Sequence, residues 1–296
     1  MNSIEKVFDN YVNKFMNDEK NIAGYQDKYH HSYFVRKEAL LIDSTFTKYN
    51  PDFRTLLEIQ SLYHDIGRFK QLSLTGNFID SDLYKKYGIF DHGYLGAIIM
   101  QEEGLLRQIF PDNTIFDDEI VKAIRLHVKD NSRLLSLIKK DYLDLFRNYE
   151  LKELFQSNHS KEERNVLTAL NIAIIQDADR LDIFRKIVNG IWKPKCSNEK
   201  ISEEVWELFK AGRLPSMSEL KDKGLWNTNV GHLVRMNFVN QMCLVAELKK
   251  IQNENLIEQI YKISGNEIVR PAYEYAKVRL ETLINESEDK ILVKKI

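Results

Sequence analysis

Four histidines and two aspartates stand in a fixed order along the chain: His31, the adjacent pair His64 and Asp65, then His92, His127 and Asp177. Imidazole and carboxylate together suit borderline divalent cations such as iron, manganese, zinc or cobalt. Six such groups supply enough donors for two ions if one carboxylate bridges them. Each lies on or beside an apolar helical stretch, where a polar side chain is costly to bury unless it ligates a cation or is hydrogen-bonded. The chemistry expected of such a set is metal-assisted hydrolysis. Two further histidines are left outside it: His159, in a polar run, is expected to be exposed, and His232 to be a hydrogen-bonded surface or core residue.

Helices must position these groups. The chain has only 12 Gly and 5 Pro, and apolar residues recur three and four apart between them, so the expected fold is all-α. A first segment, from about Tyr29 to Tyr49, is expected to bury Phe34, Leu41, Ile42 and Phe46 and to end where Asn50 precedes Pro51. A second starts near Asp52 and buries Phe53, Leu56, Leu57 and Tyr63. Gly67 is placed to stop it, which puts His64 and Asp65 on its last turn. Neighbouring side chains on a helix diverge by about 100°. His64 and Asp65 would then approach a metal pair from different directions, a geometry that suits Asp65 as the bridge.

Beyond the pair, the segment from Gln71 to Phe90 loses helical periodicity and is expected to be a long loop over the site. His92 opens the next helix, with Asp91 as its cap or as an orienting partner for the imidazole. A helix from about Asp117 to Lys129 carries Ile120, Ala123, Ile124 and His127 on one face. Another, from about Glu162 to Lys186, sets Ala169, Ala173 and Asp177 four apart. After Gly190 the chain turns looser and more polar around Trp192, Trp206 and Trp226, and helical periodicity returns from about His232 to Asn285. The expected organisation is a metal-binding helical domain over 1–188 and a C-terminal helical extension over 189–296.

Composition narrows the partners. Hydrophobic residues make up 43 % and charged residues 29 %, as in an ordinary globular protein, and 43 Lys and Arg nearly balance 44 Asp and Glu. Nothing in that balance suggests a nucleic-acid or membrane-surface partner, so any attraction for anions is local. With no signal-like amino terminus and no run of roughly 18 apolar residues, the expected location is the cytoplasm. Cys196 and Cys243 are too few for a disulfide framework and lack metal-site spacing.

Five fragments carry a family resemblance: HHSYFV at His31, LYHDIGRFKQ around His64 and Asp65, DHGYLGA at His92, AIRLHV at His127 and IIQDADRLDIF around Asp177. In that order, over about residues 25 to 185, they resemble the HD superfamily of metal-dependent phosphohydrolases, and the pattern H, HD, H, H, D is similar to its two-metal branch. The resemblance implies that His31, His64, Asp65 and Asp177 hold one divalent ion and Asp65, His92 and His127 a second, with Asp65 bridging. It does not distinguish iron, manganese, zinc, cobalt or magnesium. His30 competes with His31 for the first position, but Ser32 and Val35 match the family pattern only with His31 as ligand.

Two ions so held would lower the pKa of a water and hold a phosphate oxygen, while cationic side chains neutralise charge developing on phosphate. Arg68 is the first candidate for that second task and Lys70 and Arg180 follow. Arg180 also lies among Asp177, Asp179 and Asp182, with which it could simply pair. The implied substrate is a nucleotide or another small phosphorylated metabolite. Two other functions are compatible with the same donors: a di-iron oxygenase of the same fold, and a non-catalytic helical scaffold with a structural metal site.

Overall fold

The computed structural model describes residues 3–46, 51–129, 161–215 and 217–286. Among them the regular elements are helices, as the apolar spacing requires. They fall into two compact units, 1–178 and 179–295.

In the first unit, α1 (Ser3–Asn13) and α2 (Ile22–Phe46) precede α3 (Pro51–Tyr63), α4 (Ile66–Thr75) and α5 (Asp80–Tyr87). Next come α6 (His92–Glu102), α7 (Leu105–Ile109) and α8 (Asp117–Leu126). The division between units falls within α9 (Lys161–Val188). The core of this unit is aromatic: the Phe8 ring meets Tyr63 edge-on at 5.2 Å, and Tyr25 stacks on Phe69. Phe53, Leu56, Leu57 and Tyr63 are buried on α3, as their spacing predicts, and Ala169, Ala173 and Asp177 are buried on α9.

Three expectations are corrected. Of the stripe expected on α2, Ile42 is buried, Phe34 half-buried and Leu41 49 % exposed, and the Phe46 side chain lies outside the described residues; Tyr25, His31, Ser32, Val35, Glu38 and Ala39 make up the rest of the buried face. The face keeps the three-and-four spacing of a helix but includes polar His31 and Ser32, which an apolar stripe overlooks. Gly67 does not stop a helix: α3 ends at Tyr63, a tight turn carries His64 and Asp65, and Gly67 lies in the first turn of α4. A Cβ there would stand 2.1 Å from the His92 carbonyl oxygen and 2.7 Å from the Gly96 nitrogen, so the glycine permits backbone contact between α4 and α6. Finally, Gln71–Phe90 is not one long loop. Helix α4 runs on to Thr75, and α5 occupies Asp80–Tyr87. Only Leu83 of α5 is buried, too little to leave a periodic signal.

The second unit contains α10 (Glu203–Lys210), α11 (Met217–Asp222), α12 (Val230–Met236), α13 (Phe238–Gln241), α14 (Val245–Asn253), α15 (Leu256–Ser264) and α16 (Arg270–Asn285). Its core joins Leu181 and Phe184 from the end of α9 to Phe209, Leu233, Leu248, Ile260 and Ala276. His232 is a hydrogen-bonded core residue, with Nδ1 2.7 Å from the Tyr273 hydroxyl and Nε2 2.9 Å from the Lys195 carbonyl oxygen. Cys196 is exposed and Cys243 is buried. No helix among the described residues is long and apolar enough to cross a membrane. His159 lies outside the described residues.

Candidate metal centre

The turn between α3 and α4 sets the geometry. Asp65 stands at the N-cap position of α4 without making a side-chain cap bond. Its carboxylate is instead surrounded by imidazoles. Oδ2 lies 3.6 Å from His31 Nε2 and 3.9 Å from His64 Nε2; Oδ1 lies 3.2 Å from His92 Nε2 and 3.5 Å from His127 Nε2. All five side chains are buried. Their donors form two groups, His31–His64–Asp65 and Asp65–His92–His127, each with ligand atoms within 4.8 Å of one another. His30 is exposed, so α2 turns His31 inward and its neighbour outward.

Three of the imidazoles are oriented by their other nitrogen. His64 Nδ1 lies 2.7 Å from the Ser61 carbonyl oxygen, and His127 Nδ1 lies 2.7 Å from that of Ile124. Both carbonyls demand a donor, so both Nδ1 atoms carry the proton and both Nε2 atoms present a lone pair toward Asp65. His92 Nδ1 lies 3.1 Å from both oxygens of Asp80 and is held the same way. His64 Nε2 also faces His31 Nε2 at 3.2 Å. A lone pair on His64 at that distance needs a proton or a cation between the two rings.

The donor set therefore fits divalent cations. Nitrogen and carboxylate oxygen are mixed, lone pairs converge, and each group is compact enough for bonds of about 2 Å. Two buried clusters able to hold metal share one carboxylate. Burial alone would raise the Asp65 carboxyl. The positive charge of Lys28, foremost among its neighbours, outweighs burial and holds it well below the ordinary carboxylate range.

Asp177, the sixth expected donor, is fully buried on α9 but belongs to neither of the two groups found among the described residues. Its neighbour Gln176 donates from Nε2 to the carbonyl oxygens of His127 at 2.6 Å and Lys129 at 2.8 Å, which ties this turn of α9 to the end of α8.

The expected cations separate. Arg68 Nη1 donates to Gln71 Oε1, the Phe78 carbonyl and Asp80 Oδ1, and its buried Nε lies 3.8 Å from Asp65 Oδ1 without a hydrogen-bond partner. Lys70 is half-buried and leaves α4 about 200° around from Arg68. Arg180 donates to the Gln241 carbonyl oxygen within the second unit.

Two residues of the centre escaped the sequence reading. Lys28 Nζ lies 2.7 Å from Asp65 Oδ2. It stands three residues before His31, a spacing that puts both on one helix face and is the signal that could have found it. Asp80 takes the orienting role considered for Asp91. Asp91 instead caps α6 by accepting from the Tyr94 amide at 2.8 Å, and it pairs with Lys129. Burial would raise the Asp80 carboxyl, but the hydrogen bond from His92, with the charge of Arg68 behind it, holds it at about 2.

No protein-family model, curated protein or solved structure matches the chain. The functional reading rests on these residues.

Proposed function

We propose that the protein is a metal-dependent phosphohydrolase of the HD type that cleaves a phosphoester or phosphoanhydride of a nucleotide or small phosphorylated metabolite. The observation that supports it best is the division of Asp65, which turns one oxygen to His31 and His64 and the other to His92 and His127. A carboxylate placed this way is suited to bridge two ions. In this reading Asp177 completes the first group, as the family pattern implies.

Two bound ions would supply Lewis acidity, making a water nucleophilic near neutral pH and polarising a phosphoryl oxygen. The chain's own groups do the rest. His64 and His127 hold their lone pairs inward through the Ser61 and Ile124 carbonyls, and Asp80 does the same for His92. Lys28 and Arg68 bring two positive charges to the edge of the same carboxylate. Phosphate needs such charge as it builds on the oxygens in the transition state, and this favours a phosphorylated substrate over one to be oxidised.

The test is phosphate release from a panel of nucleotides and model phosphoesters by the metal-reconstituted protein, with metal content measured beside it. Turnover with Mn2+ or Co2+ that disappears in Asp65→Ala, together with most of the bound metal, is the expected result. Full turnover in Asp65→Ala would refute the assignment, and substrate-dependent oxygen uptake without phosphate release would move it to the di-iron oxygenases.

A further inference from the structure

Two cations of the centre lie over one aromatic ring. Phe78 stands between α4 and α5, half-buried, with Lys28 Nζ 5.5 Å and the Arg68 guanidinium carbon 5.9 Å from its ring centre. The same two groups reach Asp65, Lys28 Nζ at 2.7 Å from Oδ2 and Arg68 Nε at 3.8 Å from Oδ1. One ring thus gathers the cation beside each oxygen of the carboxylate that divides between the two histidine pairs. The hydrogen bonds of Arg68 among the described residues leave from Nη1, whereas its buried Nε has no hydrogen-bond partner. That nitrogen is a donor left for a bound anion.

The ring itself is fixed. Gly76 ends α4, Thr75 Oγ1 donates to the Asn77 carbonyl oxygen at 2.8 Å, and the Ile79 amide donates to Asn77 Oδ1 at 2.8 Å. Arg68 Nη1 donates to the Phe78 carbonyl oxygen at 2.8 Å. A Cβ on Gly24 would stand 3.5 Å from Cε2 and Cζ of Phe78, so the ring lies against α2 one turn before Lys28. The face of an aromatic ring attracts cations through its quadrupole, by about a factor of two to five per contact at exposed sites and more when desolvated. A carboxylate in the same place would also hold two cations, but it would cancel charge that a phosphoryl group needs. A ring holds them and leaves their charge uncancelled. A divalent cation at Oδ2 would take the bond that Lys28 makes there, and the ring is the contact that keeps the ammonium beside it.

We propose that Phe78 is a positioning residue, whose ring holds Lys28 and Arg68 at the edge of the Asp65 centre so that both grip one phosphoryl group. The proposal rests on the phosphohydrolase reading and narrows its substrate by charge. A terminal phosphoryl group carries about two negative charges near neutral pH and a phosphodiester carries one, so a pair of cations favours the terminal group.

The experiment measures inorganic phosphate binding by calorimetry, and hydrolysis of para-nitrophenyl phosphate and bis(para-nitrophenyl) phosphate, on the metal-reconstituted full chain and on its Phe78→Leu and Phe78→Tyr variants. Leucine keeps an apolar contact with Gly24 and removes the ring face. Phe78→Leu is expected to bind phosphate about fivefold or more weaker and to raise KM for the monoester to match, with a smaller change in kcat, since the anion is charged before the reaction as well as during it. Its preference for the monoester over the diester falls, and Phe78→Tyr restores both properties. Phe78 is half-buried in a connecting segment, so the variants should fold, which circular dichroism checks. Unchanged phosphate affinity and KM in Phe78→Leu overturn the role of Phe78 and leave the phosphohydrolase reading intact. A loss that Phe78→Tyr does not restore assigns the side chain to packing alone and overturns it too. A native chain that hydrolyses the diester as readily as the monoester overturns the selection by charge. A native chain that neither binds phosphate nor hydrolyses either ester overturns both readings.

Discussion

Asp80 sets both of its carboxylate oxygens 3.1 Å from Nδ1 of His92, while Nε2 of the same ring points at Asp65 Oδ1. The carboxylate makes His92 a better electron-pair donor and fixes its ring plane. Replacing Asp80 by Ala is expected to weaken metal binding at the His92–His127 group by roughly 10- to 100-fold. Titration of the metal-free protein with Mn2+ or Zn2+ checks this, since one of two binding phases should weaken while the other stays. Two unaltered phases would show that Asp80 does not orient the ligand.

Lys28 Nζ lies 2.7 Å from Asp65 Oδ2, the oxygen for which a divalent cation held by His31 and His64 would compete. In metal-free protein Lys28→Met leaves a buried carboxylate without its nearest positive charge. Breaking a fully buried ion pair costs about 3–5 kcal/mol, and the residual solvent contact of Lys28 reduces this to roughly 2. Thermal melting should show a lower midpoint for the metal-free variant and a larger upward shift on adding metal than in the native chain. Identical midpoints without metal would mean the pair contributes nothing.

Gly67 and Gly93 let three helices meet at their backbones. A Cβ on Gly67 would collide with the His92 carbonyl oxygen, and one on Gly93 would come within 2.9 Å of the Arg125 carbonyl oxygen. Neither obstacle is a flexible side-chain end. Gly67→Ala is therefore expected to force α4 from α6 and to lose about 1–3 kcal/mol or more of stability, with metal binding at His92 weakened in parallel. Urea unfolding with a midpoint equal to that of the native chain would contradict the close approach.

His232 gives the second unit a pH dependence separate from the metal centre. Its burial, opposed by the Lys195 carbonyl and reinforced by Arg235, lowers its pKa below the ordinary value of 6.5. The unfolded chain then takes up a proton at a higher pH than the folded one. Stability from this group is complete above about 6.5 and falls as pH descends through the lower folded value. The native chain should lose melting temperature between pH 7 and pH 5 more steeply than His232→Gln, and parallel slopes would show that His232 does not govern it.

The apolar spacing and the scarcity of Gly and Pro determine an all-helical chain, because a helix needs only local hydrogen bonds and one apolar stripe. The same local logic placed Phe53, Leu56, Leu57 and Tyr63 inside and made Asp91 the cap of α6. His31, His64, Asp65, His92 and His127 were legible as donors because residue type and order survive in one dimension. What remained hidden is contact between segments distant in sequence. Asp80 lies in a stretch without a periodic signal and matters only because α5 brings it against His92. The role of Gly67 is a backbone distance to α6 that no local pattern encodes. The partition of the two Asp65 oxygens between two histidine pairs arises only when α2, α6 and α8 converge on one turn, since carboxylate geometry is set by its neighbours in space and not by those in the chain.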